Sequence, residues 1–508
     1  MAYQHGVRVL EQATSIVAPI LGTAGLQVVF GTAPVNLADD PYKVTNRPII
    51  AYSWTEAVSQ LGYSAERNSK HRFLYTLCEA MYASFKLIGV APVIFVNVLD
   101  PAKHNKKNES ATIPVEEMTA TLKVTGVLKD KVKITVQKEA EAATLKPDTD
   151  YVLSFDDDGY LLVTLIAGGA ADDAKQITVE STSIDPAAVT ASDIIGASSG
   201  AEEKGMEVLR QVYPKFGMTP GLLLAPGWSH IPDVGVVLAA KCTEINGYFS
   251  CEAFVDIDST DSGCTTYTDV KAAKEKAGCT SSHVEALWPC IVVGSMKFWY
   301  SSIQAAVTAR LDASNDDVPN LSPSNKLLGV TGTVLADAIY TETVDDEGNV
   351  TGGSWDKEVL LDQLQANAVN GFGVTTALNS NGWRNWGNNT AAYPATTDPK
   401  DRWFCCRRFF SWWGNSFMLT YAQKVDDPAN LRLIESIVDT ENIRGNAYVS
   451  QGKCAGAYIE FNADENPVTS LIDGKLYFHQ HLAPYVPAED IVNTLEFDPD
   501  ALVSALTA

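Results

Sequence analysis

Apolar and polar positions follow two different periods along this chain, and the change of period divides it. Leu26-Gln-Val-Val-Phe30 and Pro92 to Val98 are nearly continuous apolar runs, which predict buried strands, and between them a helical pattern runs from Lys70 to Ile88. Alternation resumes after residue 204. Gly221–Leu224, Tyr248–Val255 and Ala286–Val293 read as strands, while Val234–Glu244, Tyr267–Ala277 and Ser301–Leu311 read as helices. Strands alternating with helices predict an α/β layer around a parallel or mixed sheet. Between these flanks the period is two. Thr119–Val124, Lys131–Val136, Tyr151–Phe155, Tyr160–Leu165 and Gln176–Glu180 are short, rich in Val, Ile and Thr, and separated by turns such as Asp156-Asp-Asp-Gly159. This stretch reads as a small β-sandwich inserted into the larger domain, entered through His104–Lys107 and left through Ser198–Gly200, both expected to be exposed hinges.

The last quarter changes again. Residues 383–413 hold five tryptophans, of which Trp412-Trp413 reads as core. A helix from Asn430 to Ile443 follows Asp426-Asp427-Pro428, with Leu431, Ile434 and Val438 expected on its buried face. Gly456–Phe461 and Lys475–Leu482 read as two strands. At each terminus apolar residues alternate without a hairpin partner: Val7 and Val9 against Arg8 and Leu10, then Ile491, Asn493, Leu495 and Phe497 against Val492, Thr494 and Glu496. A strand with no partner of its own satisfies its backbone by adding to another sheet's edge. The Gly456–Phe461 and Lys475–Leu482 pair is the expected acceptor.

The 508 residues suit several domains, with 46% hydrophobic and 20% charged positions. The net charge of −24 argues against nucleic acid as a main partner, because phosphate neutralisation needs clustered Lys and Arg. The stretch 109–203 carries 18 acidic and 7 basic residues, and all 10 Trp and 9 Cys lie outside it. No signal-peptide pattern opens the chain, and its most apolar run, Ile88–Leu99, is too short to span a bilayer, so synthesis in the cytoplasm without membrane insertion is expected. The cysteines form no CxxC pair and are expected as buried reduced thiols.

Catalytic patterns are missing. HExxH, GxxxxGK[ST], GxSxG and a strand-borne GxGxxG are all absent. His479 and His481 share a strand face and read either as metal ligands or as structural residues. Asp256, Asp258 and Asp261 read as a polar strand-end loop rather than a calcium site, and Ser229-His230 are neighbours that rarely face one another. No enzyme activity, cofactor or metal is expected. An extracellular adhesin or surface-layer protein with an Ig-like domain is the alternative from another class, and an enzyme with a site assembled from scattered residues is a third.

Both ends resemble one family. Tyr3–Gln12 followed by Ala24–Pro34, with its G-x-A-P turn, resembles the opening of contractile phage tail sheath proteins. Arg407-Arg408, Asp426-Asp427-Pro428, Gly445 to Gly456, Asn466-Pro467, Gly474-Lys-Leu476 and Ala483 to Ile491 are similar to that family in order and spacing, as are Ala305–Asp312 and Leu321-Ser-Pro-Ser-Asn-Lys326. Asn388-Asn389-Thr390 departs from it, because many relatives carry a base before the threonine.

The resemblance implies a structural subunit of a phage, prophage or R-type bacteriocin tail. Stacked hexameric rings would surround an inner tube and contract to drive it through a cell envelope. It implies an N-terminal arm (1–25), a middle α/β domain (26–104 and 204–375), an outward-facing inserted β-sandwich (105–203), an inner tube-contacting α+β domain (376–490) and a C-terminal arm (491–508). Val7, Arg8, Val9, Leu10, Val492, Thr494, Leu495 and Phe497 would form the arm strands, with hinges at Glu11–Gly25 and Pro484–Asp490. Arg432, Glu435 and Asp439 are first candidates for tube contact. Arg402, Arg407 and Arg408 are a second patch, in which Arg407 and Arg408 serve equally well as internal salt-bridge partners. Implied partners are other copies of the chain, a tail tube protein, baseplate proteins and a tail terminator.

Overall fold

A computed structural model describes residues 23–138, 141–200, 202–347 and 349–507. The N-terminal arm expected around Val7, Arg8, Val9 and Leu10, with most of its hinge, lies outside the described residues.

The apolar runs form one mixed sheet of eight strands: β1 (Gln27–Gly31), β2 (Pro48–Ala51), β3 (Val93–Asn97), β4 (Leu222–Leu224), β5 (Glu252–Asp256), β6 (Val284–Leu287), β7 (Val374–Asn379) and β8 (Trp383–Trp386). Their order is β2-β3-β1-β4-β5-β6-β7-β8. The six inner strands are parallel, with Val28 level with Ile94 on one side and Leu223 on the other, and the two edge strands are antiparallel. Most inner-strand positions are buried, as expected where helices cover both faces of a parallel sheet.

Four boundaries differ from the sequence reading. The helix expected from Lys70 begins at α1 (Thr76–Met81) and widens into a π-helix over Tyr82–Ile88. The residues before it form a loop with an Arg67–Phe73 bridge and a left-handed His71. The strand expected over Ala286–Val293 is two. Pro289 has no N–H to donate, so the ladder of β6 stops and Cys290–Val293 joins a separate three-stranded sheet. The boundary expected at residues 375/376 falls inside β7, because β7 and β8 complete the main sheet. Of the entry His104–Lys107, Asn105–Lys107 are exposed as expected but form a short strand paired with Thr182–Ile184, while His104 is buried and its Nδ1 accepts from the Asp100 N–H at 3.0 Å.

The period-two stretch folds into two antiparallel layers. One has four strands (Ala111–Pro114, Gln176–Glu180, Lys133–Lys138, Glu141–Thr144), the other three (Thr119–Leu122, Leu161–Leu165, Tyr151–Phe155). They share a hydrophobic cluster, including Leu122, Ile134, Tyr151, Val163 and Val179, separate from that of the main sheet.

Under the main sheet runs α2 (Tyr300–Ala313), whose first turns are held by three buried carboxylates from elsewhere in the fold. Glu79 Oε1 accepts from the Trp299 N–H at 2.6 Å and Ser302 Oγ at 2.9 Å. Asp256 accepts from the Ser301 N–H at 2.9 Å and Ser301 Oγ at 2.6 Å. Glu285 accepts from Gln304 Nε2 at 3.1 Å and Thr375 Oγ1 at 2.7 Å. The bonds from the Trp299 and Ser301 N–H groups satisfy donors that a helix N-terminus leaves without internal partners. Burial pushes Glu79 up to about 8, Glu285 to about 7 and Asp256 to about 6, against the opposing pull of those hydrogen bonds.

A raised carboxyl pKa gives stability that is complete below the ordinary value and lost as pH rises through the folded one. Stability should therefore fall between about pH 4.5 and 8 as Glu79 ionises. Glu79→Gln keeps an oxygen where both bonds are accepted and removes the charge. It is expected to match the parent at pH 4.5 and exceed it by about 2–4 kcal/mol at pH 8, as urea titrations at the two pH values would read. Equal dependence on pH in both proteins would contradict this.

The C-terminal lobe is built on α3 (Phe404–Tyr421) and α4 (Leu431–Ser450), followed by the antiparallel hairpin β9 (Cys454–Glu460) and β10 (His479–Pro484). Phe409, Trp412, Trp413, Cys454 and Ala457 form its core with Tyr448 and Leu482, and the Arg444 guanidinium lies 4.1 Å over the Trp413 ring. Gly445 lets α4 press on the hairpin, since a Cβ there would meet the Ala457 carbonyl oxygen at 2.1 Å. A last helix, α5 (Pro499–Thr507), closes the chain and was not expected.

Candidate subunit interface

The β9–β10 hairpin is a sheet of only two strands, with Ala457 paired to Leu482 and Tyr458 to His481. One face packs on α4 through Ala457, Ile459 and Leu482. Among the described residues neither outer edge carries a further strand, but α4 covers the β9 edge, where Asn442 bonds the Ile459 N–H at 2.9 Å and its carbonyl at 3.1 Å, so β10 is the edge left for another strand. Beside β10 lies an apolar groove of about 650 Å³, lined by Cys406, Phe410, Tyr458, Leu482 and Val486, with Lys400 and His481 also in its wall.

The C-terminal tail is the complementary element. Ile491, Val492, Leu495 and Phe497 are 85, 78, 87 and 74% exposed, and Thr494 is exposed between them. Among the described residues the tail pairs with no strand. Its final helix presents Leu502, Val503 and Leu506 to solvent, and Asp498 caps it by accepting from the Asp500 and Ala501 N–H groups at 3.0 Å. Asp498-Pro499 is the acid-then-proline signature of a helix start, so the signal for α5 was present in the sequence.

The charged candidates separate. Arg432, Glu435 and Asp439 are exposed on α4. The buried stripe of that helix is not the expected one: Leu431 is exposed and Ile434 and Val438 are only half-buried, while Ile437, Thr440, Glu441, Arg444 and Gly445 are buried. The helix extends seven residues beyond Ile443, and its C-terminal half carries the packing.

Arg408 is not a surface residue. It pairs inside the protein with Asp312, Nη1 to Oδ1 at 3.1 Å and Nη2 to Oδ2, and Nη2 also reaches the Ala24 carbonyl at 3.1 Å. Each partner is 1% exposed, which leaves nothing for a tube to touch. Arg407 is largely buried and paired with Asp401 at 3.2 Å. Arg402 reaches Glu489 at 2.8 Å and is half-buried. Of the two alternatives left open by sequence, tube contact and internal pairing, Arg408 takes the internal one outright.

His479 and His481 stack at 4.5 Å between centroids. His479 Nδ1 meets Glu465 at 2.9 Å and His481 stacks on Tyr458. Among the described residues no group of three or more His, Cys, Asp or Glu is placed to hold a metal ion. Ser229 Oγ donates to Asp256 at 2.9 Å, while His230 lies flat against Trp299 and burial lowers it to about 4, so the two neighbours serve separate contacts. All nine cysteines are buried and free. No described helix is long and apolar enough to cross a membrane.

A folded body with an open sheet edge and a projecting apolar tail has the features of a subunit that builds an assembly from copies of itself. Its fold is that of contractile sheath proteins. The sheath of the PVC extracellular contractile injection system in its contracted state aligns over 99% of this chain and 100% of its own, with a TM-score of 0.56 at 14% identity. The contracted helical sheath of the anti-feeding prophage aligns over 98% and 100%, with a TM-score of 0.53 at 15% identity.

In sequence, the homologues of this chain are tail sheath proteins. That of Burkholderia phage BcepMu is 25% identical over 510 residues, covering 99% of this chain and 98% of its own, and that of Escherichia phage P2 is 24% identical over 339 residues, 63% and 76%. No protein-family model matches the sequence. These relatives give no support to the adhesin reading.

Proposed function

We propose that this chain is the sheath subunit of a contractile tail. It polymerises as stacked six-membered rings around an inner tube, and contracts to drive that tube through a cell envelope. The observation that carries the proposal is the match to a phage tail sheath protein over essentially the whole of both chains. The tail from Ile491 to Phe497 supports it, because an apolar segment of alternating pattern with no strand partner among the described residues suits strand addition to the β9–β10 hairpin of another copy. A head-to-tail contact of that kind does not close on itself and builds a helical polymer.

The domain division follows from the same reading. Residues 105–203, with their separate core and acidic surface, face outward, while the C-terminal lobe faces the tube and presents Arg432, Glu435 and Asp439 to it. The N-terminal arm, with Val7, Arg8, Val9 and Leu10, links to a further neighbour. Partners are other copies, a tube protein, and baseplate and terminator proteins, in a tail particle assembled in the host cytoplasm. Function as a structural subunit calls for no catalysis. Contraction needs no nucleotide if the extended lattice is kinetically trapped and the contracted one buries more surface between subunits.

The test is negative-stain electron microscopy of the protein expressed alone at high concentration. Hollow tubes with regular helical striation are the expected result. Particles of one to four subunits at every concentration, even with the cognate tube protein added, would overturn the reading.

A further inference from the structure

We infer that Arg402 anchors the root of the C-terminal arm, so that the arm pivots beyond it, at Asp490–Val492, rather than along Pro484–Asp490. The consequence for assembly rests on the sheath reading above; the geometry of the anchor does not.

Arg402 ends a short helix, Pro399–Arg402, and is locked from the side of the body. Its guanidinium lies 4.0 Å over the Trp403 ring and 4.7 Å over that of Tyr393, and its Nε donates to Asn389 Oδ1 at 3.0 Å. Asn389 is itself tied to the Asn370 carbonyl at 3.3 Å. This leaves Nη2 facing the arm, where it meets Glu489 Oε2 at 2.8 Å. A second hold lies upstream, where Cys406 Sγ reaches the Tyr485 carbonyl at 3.8 Å. Between them the arm root, Pro487 to Ile491, forms one wall of a cleft of about 820 Å³ whose opposite wall includes Ser322, Asn325 and Asn388.

An ordinary ion pair at a surface holds little, because two long side chains must be ordered to make it. Here Arg402 is already ordered by stacking and by Asn389, so only Glu489 loses freedom on pairing. Pro487 is the last half-buried residue; from Ala488 to Thr507 every described side chain is exposed, and beyond Glu489 the tail's side-chain hydrogen bonds run only within the tail. The anchored root therefore ends where the free arm starts. From Asp490 to Phe497 an extended chain spans about 23 Å, at roughly 3.3 Å per residue, and this sets how far the acceptor hairpin of a neighbour lies from Arg402. Without the anchor the free length starts near Pro484, and the arm no longer specifies that spacing.

The experiment uses the full-length protein with nitroxide labels on introduced cysteines, the nine native thiols being buried. One label sits on the body at Gln451→Cys and the other on the arm, either at Ala488→Cys or at Thr494→Cys; all three positions are exposed. Pulsed electron resonance of the unassembled protein is expected to give a narrow distance distribution to position 488 and a broad one to 494. Glu489→Lys, an exposed change that places like charge against Arg402, should make the distribution at 488 as broad as that at 494. It should also replace regular tubes by irregular polymers.

A distribution at 488 that is broad from the start, or that stays narrow in Glu489→Lys, overturns the anchor. Failure of the parent protein to form tubes even with a cognate tube protein would instead sink the sheath reading and leave the spectroscopic result standing.

Discussion

Deletion of residues 491–508 is expected to abolish tube formation while leaving a folded, soluble monomer. No described side chain of this segment is buried, so its removal takes nothing from the core. What it removes is the exposed alternating segment that the proposed function assigns to reaching the next copy. A strand of about five paired residues gives roughly 2–7 kcal/mol, at about 0.5–1.5 kcal/mol per hydrogen bond. Burying side chains such as Leu495 and Phe497 adds on the order of 2–5 kcal/mol after ordering costs. One arm is thus a modest link. In the proposed polymer each subunit would both donate and accept arms, and simultaneous engagement would raise the effective concentration of every other contact. Sedimentation and electron microscopy would read the loss of tubes, and circular dichroism the retained fold. Tubes of normal appearance from the truncated chain would show that the C-terminal arm is not what joins the subunits.

The largest loss of stability from a single substitution is expected at Arg408, for a reason opposite to the one that drew attention to it in the sequence. Arg408→Ala leaves the Asp312 carboxylate buried without its counter-charge and the Ala24 carbonyl without its donor. Breaking one side of such a pair costs about 3–5 kcal/mol, chiefly from the buried charge left behind. Burial already pushes the Asp312 carboxyl up against the pull of Arg408. In the variant it rises further, so the loss should be largest near pH 8 and partly relieved near pH 5, where the carboxyl takes up a proton. Replacing both partners, Arg408→Met with Asp312→Leu, should recover most of the stability, since an apolar pair of similar volume leaves no charge unpaired. Urea titration of the three proteins at two pH values tests this. A double variant as unstable as the single one would mean that packing, not charge, sets the cost.

Arg408 also shows where reading a sequence stops. Two adjacent arginines before an aromatic stretch signal basic chemistry, but not which way each side chain points. The main core was legible because burial on both faces of a parallel sheet demands unbroken apolar runs, and such runs at Leu26–Phe30 and Val93–Val98 have no other comfortable place. The insertion was legible because period two cannot sit still as a helix. The break at Pro289 and the helix start at Asp498-Pro499 carried local signals that a longer apolar pattern or an expected strand overrode.

Helix α4 was predicted in place but not in orientation. Leu431, Ile434 and Val438 are apolar, yet the hairpin packs on its C-terminal half, where Gly445 permits contact and Arg444 lies over Trp413. The candidate interface was legible only as pattern: an alternating tail and two nearby strands. That α4 covers the β9 edge while no described strand pairs with β10 on its outer side, and that Arg402 faces Glu489 across 87 positions of chain, depended on the packed structure.

The sequence by itself determined the α/β core, the inserted β-layers, the absence of catalytic motifs and the resemblance to sheath proteins, because each rests on local periodicity or on the order of motifs along the chain. Tertiary structure alone decided which charges are buried pairs and which are surface, where the arm is held and where it is free, and which edges remain open. Those properties depend on residues far apart in sequence meeting, and a one-dimensional pattern fixes how a segment folds without fixing what it will lie against.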